Sequence, residues 1–175
     1  MNEYYSKMEP YPFAVIDNVL PNFEQVKNYA ENIFSNMSIG IHQHMFTSEI
    51  DYKLYKKLEE VALEMNIEYY KKWDISSYNL EFLFQFSCYN TIHTLYPEYN
   101  VHSDDPSKVT SCIVALSDIG NLTEIHSQKE NGFVYQPEWK QNRGVMFKRT
   151  SNSFHKVGEP LGNPRMTINI ITINN

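Results

Sequence analysis

The chain has 175 residues, of which 42% are hydrophobic and 21% charged, values that suit one folded domain over 1–175 and exclude a disordered chain. Its net charge of −6, without any dense Lys/Arg stripe, argues against a nucleic-acid partner. No window reaches the ~18 apolar residues of a membrane span. The opening MNEYYSKMEPYP has no apolar leader, so no membrane partner and a cytoplasmic location are expected.

The elements follow in chain order. Pro12 to Leu20 reads as a strand and its exit. Asn22, with Gln25 three residues on, then caps a helix whose Phe23, Val26, Ala30, Ile33 and Phe34 share one face. The stretch from Ser38 to Thr47 is ambiguous and holds His42 and His44, which share a side if it is a strand. A second helix is expected from near Ser48, with Asp51 as capping partner, to near Trp73. Ile50, Leu54, Leu58, Val61, Ala62, Met65 and Tyr69 form its apolar stripe, opposite Lys56, Lys57, Glu59 and Glu60.

Beyond Trp73 the periodicity changes to short strand-like runs: Leu80–Asn90, Val109–Leu116, Phe133–Tyr135, Gly144–Phe147, Phe154–Val157 and Met166–Ile173. Turn-forming clusters separate them at 100–107, 118–121 and 158–164. Helices followed by many strands point to an α+β, mainly β chain, with a jelly-roll-like double sheet and the helices on one face. Cys88 and Cys112 lie in apolar runs without zinc-ligand spacing, so both are expected to be buried thiols.

Three features carry chemistry. His102-Ser103-Asp104 sits at a strand boundary, His155 lies 51 residues past Asp104, and Arg165 follows ten residues after His155. Side chains two apart on an extended segment point the same way, so His102 and Asp104 can reach one ion. His155 from another strand completes a two-His-one-carboxylate face, a donor set suited to Fe(II) that leaves coordination positions open for a chelating keto acid and O₂. Arg165 offers a planar fork for the far carboxylate of such an acid, and Thr167, on the same side, adds a hydroxyl. A His-x-Asp pair alone is weak, since this composition gives roughly 0.2 by chance. Its weight comes from the ordered combination with His155 and Arg165.

The stretch FSCYNTIHTLYPEYNVHSDDPSKVTSCIVAL, residues 86–116, resembles the metal-binding core of the prolyl-4-hydroxylase-like branch of the Fe(II)/2-oxoglutarate oxygenases. Tyr89, Tyr99, His102, Asp104 and the Val109–Leu116 run match its order, and FHKVGEPLGNPRMTINI resembles its closing block. The resemblance implies a double-stranded β-helix (cupin-like) core over about 80–173, with helices of about 20–73 bracing its major sheet. It implies Fe(II), 2-oxoglutarate and O₂ as cofactors, with ascorbate as a supporting reductant. His102, Asp104 and His155 would be the metal ligands, and Arg165, Thr167, Tyr89 and Tyr99 would lie at the co-substrate. The implied activity is hydroxylation of a peptidyl proline or a small molecule, with release of succinate and CO₂.

The sequence departs from that pattern in two places. Gly120-Asn121-Leu122 replaces the family's Gly-Gly-x-Leu turn, and Ala115 stands where some relatives carry a co-substrate tyrosine. Oxidative nucleic-acid demethylases usually add a second Arg six residues after the first, where this chain has Ile171, and the phytanoyl-hydroxylase-like Pro-Gly-Ser-His turn does not occur. A non-catalytic cupin-like binding module shares the fold but gives Arg165 no purpose. Among the other histidines, His93 and His126 are expected near the mouth of the site. Lys108 and Asp105 would shape its entrance, and Glu124, Tyr135 and Trp139 fall in a segment expected to cover it. Nothing in the sequence sets an oligomeric state.

Overall fold

The structure is a computed structural model and describes residues 1–35, 42–45, 50–75, 80–89, 100–158 and 164–174. Among these, ten strands and two helices form in the order β1 (Asn2–Lys7), β2 (Phe13–Asp17), α1 (Phe23–Phe34), β3 (His42–Met45), α2 (Tyr52–Lys72), β4 (Leu80–Tyr89), β5 (Lys108–Ala115), β6 (Glu124–His126), β7 (Phe133–Tyr135), β8 (Arg143–Lys148), β9 (Phe154–Lys156) and β10 (Arg165–Asn174). Seven strands make an antiparallel sheet in the order β1-β2-β8-β5-β10-β4-β3, and three make a smaller one, β7-β6-β9. An antiparallel bridge from His102 to His155 extends the smaller sheet beyond β9. The architecture is a double-stranded β-helix with two helices on the outer face of its major sheet. None of the described helices is long and apolar enough to cross a membrane.

Strand alternation decides what each face of the major sheet meets. On β10, Ile168 and Ile170 turn outward beside Phe84, Phe86 and Cys88 of β4 and Cys112 and Val114 of β5, and all are buried with the apolar stripes of α1 and α2. Arg165, Thr167, Asn169 and Ile171 turn inward, toward the smaller sheet. A second apolar cluster fills the space between the sheets, built from Tyr11, Phe13, Ile113, Ala115, Leu122, Ile125, Val145 and Phe147. Ala115 contributes to this packing.

Both helices lie where the periodicity placed them, and every residue of the expected α2 stripe is buried. Their caps differ from expectation. Asp51 is itself the N-cap of α2, accepting from the amides of Lys53 and Leu54, so the helix starts after it; Ser48 lies outside the described residues. At α1 the Asn22 side chain makes no capping bond, and its main-chain carbonyl alone receives Gln25 N and Val26 N. β1 was not foreseen. It is an exposed edge strand, and without a buried face its sequence lacks the alternation that marks a half-buried strand. Within the 120–140 segment, expected to cover the site, β6 and β7 are strands of the smaller sheet.

Two side-chain clamps fix the route of β2. Asn142, at φ 58°, receives the amide of Leu20 on Oδ1 at 2.7 Å and donates from Nδ2 to the Leu20 carbonyl at 2.9 Å. Asn tolerates this left-handed backbone better than other residues with a Cβ. Asp17 pairs with Arg143 across β2 and β8, at 2.6 Å to Nε and 3.1 Å to Nη2.

Candidate active site

His102, Asp104 and His155 present one ligand atom each, all within 4.8 Å of one another. His102 and His155 come together through the main chain: His102 N donates to His155 O at 3.0 Å and His155 N to His102 O at 2.8 Å. Such a hydrogen-bonded antiparallel pair puts both side chains on one face. The rings lie 4.5 Å apart, and the Phe147 ring lies tilted against His155 at 4.5 Å. Each ring also has a fixed tautomer. Nδ1 of His102 lies 2.8 Å from the Asn100 carbonyl, and Nδ1 of His155 lies 3.0 Å from that of Ser153. A carbonyl only accepts, so each Nδ1 must carry a proton, and Nε2 is the nitrogen left to meet a metal ion.

Asp104 stands in the loop before β5. Its Oδ2 accepts from Ser111 Oγ at 2.8 Å, and its Oδ1 accepts from Lys108 Nζ at 2.6 Å and lies 4.0 Å from His155 Nε2. Burial alone would raise the Asp104 pKa, but the neighbouring charges of His155 and Lys108 and the bonds from Lys108 and Ser111 outweigh it and hold the carboxyl below its ordinary value. Burial pushes His155 down to about 4 against the opposing pull of Asp104. At neutral pH the set is therefore one carboxylate and a neutral His155. Two imidazoles and a carboxylate on one side of an open position suit a borderline divalent ion such as Fe(II).

Behind the three residues lies a cavity of about 250 Å³. Its floor is the inward face of β10, the strand held between β5 and β4. Arg165, at the start of that strand, is 1% exposed. Its Nε donates to the Asn121 carbonyl at 2.8 Å, and its guanidinium lies 5.2 Å from the Tyr89 ring and 5.7 Å from that of Trp139. Tyr89 is its cross-strand partner on β4. Thr167 follows on the same face, level with Ser87 and Ala115. A buried cation of fixed aim with a hydroxyl beside it fits a carboxylate.

The sequence-predicted residues His102, Asp104, His155, Arg165, Thr167 and Tyr89 all line this one cavity. Tyr99 and His93 lie outside the described residues. His42 and His44 sit on β3, the edge strand beside β4. His126 is not at the mouth: it is buried on β6, paired with Glu124 at 3.0 Å and edge-on to Phe133, while its neighbour Ile125 is the residue opposite His155. Trp139 walls the guanidinium and is tied to the Ser117 carbonyl through Nε1 at 3.0 Å. Lys108 lines the cavity, as expected of an entrance residue, whereas Asp105 is exposed and turns back to accept from Ser107 N. Gln85, Ser111 and Asn169 were missed. All three are placed by register with Arg165 and Thr167, and counting by twos along the β10 and β4 runs could have found Asn169 and Gln85.

No family model matches the sequence, and no curated protein matches it. Its fold is shared by prolyl hydroxylases and other oxygenases. The chain superposes on a viral collagen prolyl hydroxylase from Paramecium Bursaria Chlorella virus-1, in its 2OG complex, with a TM-score of 0.62 at 14% identity, covering 93% of this chain and 96% of that one. A prolyl hydroxylase from Trichoplax adhaerens, in complex with a hypoxia inducible factor peptide fragment, gives 0.67 at 16% identity, over 93% of this chain and 83% of that one. IDO from Bacillus thuringiensis gives 0.65 at 12% identity, over 93% of each.

Proposed function

We propose that the chain, as a single domain over residues 1–175, is an Fe(II)- and 2-oxoglutarate-dependent oxygenase that hydroxylates a peptidyl proline or a small molecule. The observation that carries this reading is the convergence, in one cavity, of three ligand atoms within 4.8 Å of one another and a buried arginine aimed from the same strand face as Thr167.

His102, Asp104 and His155 would hold the metal through Nε2, a carboxylate oxygen and Nε2. Ser111 keeps Asp104 in its rotamer, and the Asn100 and Ser153 carbonyls hold the two imidazoles in the tautomer that ligation needs. Arg165 and Thr167 would take the far carboxylate of 2-oxoglutarate, with Tyr89 and Trp139 excluding water around the guanidinium. Bound iron would supply the redox chemistry with O₂. With 2-oxoglutarate as co-substrate, that chemistry would place one atom of O₂ in a substrate C–H bond and the other in succinate, with loss of CO₂. Ascorbate would support repeated turnover. The neighbour solved with a peptide fragment is the support for the peptidyl-proline branch, and Ile171, where a second strand arginine would stand, speaks against a nucleic-acid substrate.

The test is turnover of 2-oxoglutarate to succinate by protein loaded with Fe(II) and ascorbate, beside Mn(II) and 2-oxoglutarate binding titrations. Wild type is expected to form succinate slowly without substrate. His102→Ala should lose it, and Arg165→Ala should need far more 2-oxoglutarate. Protein that binds neither the metal nor the keto acid would leave a non-catalytic cupin-like binding module as the account.

A further inference from the structure

The cavity holds one cation more than the proposed co-substrates can use. Lys108, the first residue of β5, reaches in and donates to Asp104 Oδ1 at 2.6 Å. That same oxygen faces His155 Nε2 at 4.0 Å, so it is the one an ion shared by the two residues would take. An ammonium and a divalent ion repel when they crowd one carboxylate oxygen, and Oδ2 is already engaged by Ser111. Once the ion is bound, Lys108 must find another anion.

None is built in. Among the described residues lining the cavity, Asp104 is the sole acid. The ion and the doubly negative keto acid cancel, Asp104 and Arg165 cancel, the imidazoles ligate as neutral groups, and the charge of Lys108 is left over. Outside the cavity, the exposed Asp105 lies within electrostatic range of both Lys108 and Arg149, so it offsets Lys108 only in part and in water. The Lys108 side chain is 26% exposed and lines the cavity, and a substrate anion is the partner that would meet it there. The opposite wall of the cavity is also polar. Asn169 Nδ2 donates to Gln85 Oε1 at 3.0 Å, which leaves Asn169 Oδ1 buried with no hydrogen-bond partner. An open acceptor in a cavity calls for a donor.

We infer that the substrate is a small molecule bearing a carboxylate that Lys108 binds, with an N–H or O–H donor that Asn169 accepts. This rests on the oxygenase reading and selects the small-molecule branch of it. The backbone of a peptidyl proline is neutral at its carbonyls and would leave Lys108 unmatched.

The experiment uses the full chain loaded with redox-silent Mn(II) and 2-oxoglutarate. The probes are the twenty free L-α-amino acids, each beside its primary amide, followed by calorimetry and by thermal denaturation. At least one acid is expected to bind and raise the melting temperature, with its amide weaker by about tenfold or more, the size of one charge-assisted hydrogen bond. Lys108→Gln should erase that difference and Lys108→Arg should keep it. The inference is overturned if no acid binds, if acid and amide bind alike, or if Lys108→Gln discriminates as wild type does. It is equally overturned if Lys108→Gln loses Mn(II), because Lys108 then serves only to position Asp104. Failure of wild type to take up Mn(II) or 2-oxoglutarate is a separate result: it sinks the oxygenase reading and this inference with it.

Discussion

His102 and His155 exchange both of their main-chain hydrogen bonds, at 3.0 and 2.8 Å, so the spacing of the two candidate ligands is a property of strand register. Neither imidazole is needed to hold the other in place. His102→Ala and His155→Ala should therefore each abolish stoichiometric Mn(II) binding, read by electron paramagnetic resonance, while the far-ultraviolet circular dichroism stays that of wild type. Retained binding in either variant would remove that residue from the ligand set.

Gly158 reaches the site from a distance. A Cβ built there would lie 2.3 Å from the carbonyl oxygens of Asn121 and Leu122, and the Asn121 carbonyl is the group that receives Arg165 Nε. Gly158→Ala must push that loop aside, at a typical overpacking cost of about 1–3 kcal/mol. The expected result is 2-oxoglutarate affinity reduced by about tenfold, the worth of one lost hydrogen bond to a charged group, with Mn(II) affinity unchanged. Calorimetry on the Mn(II)-loaded protein measures both, and equal 2-oxoglutarate affinity would show that Arg165 is aimed by other contacts.

The Asp17–Arg143 pair predicts a pH response away from the site. The hydrogen bond from Arg143 holds the Asp17 carboxyl below its ordinary value, against the effect of burial and with help from Lys140. A depressed carboxyl stabilises the fold above its unfolded pKa, ~3.9 for Asp, and that contribution is lost as the pH falls through the lower folded value. Asp17→Asn should cost about 2–4 kcal/mol at pH 7, as breaking a largely buried pair does, and should flatten the acid limb of stability. Urea unfolding at pH 7 and at about pH 3 checks this; a variant whose loss is the same at both values would contradict it.

What could be read from the residues divides along physical lines. The α2 stripe from Ile50 to Tyr69 and the alternation of β10 were legible because burial on one face imposes a period. The pairing of His102 with Asp104 and the later His155 and Arg165 were legible because ligand chemistry restricts residue type. Asn169 and Gln85 were passed over, since polar residues on a strand read as solvent-facing unless their parity with Arg165 and Tyr89 is counted. β6, three residues of Glu124-Ile125-His126, is too short to show a period. His126 looked like a residue of the site, yet it is buried on β6, packed against Phe133 and bonded to Glu124.

The sheet that carries the cavity floor also sorts the protein's sulphur. Met65, Cys88, Cys112 and Met146, with the half-buried Met166, all belong to the core on the helix side, while the cluster between the sheets contains no sulphur among its described members. Burial raises the Cys88 thiol to about 11 and Cys112 to about 12, so neither is a thiolate at neutral pH. Thiols and thioethers are the side chains most easily oxidised, and thiolate character and exposure govern the thiols' attack. The O₂-handling centre proposed above would thus be separated from them by the hydrogen-bonded backbone of the major sheet. In such an oxygenase the strand pleat that sets the pocket's chemistry would also act as a firewall against self-inactivation.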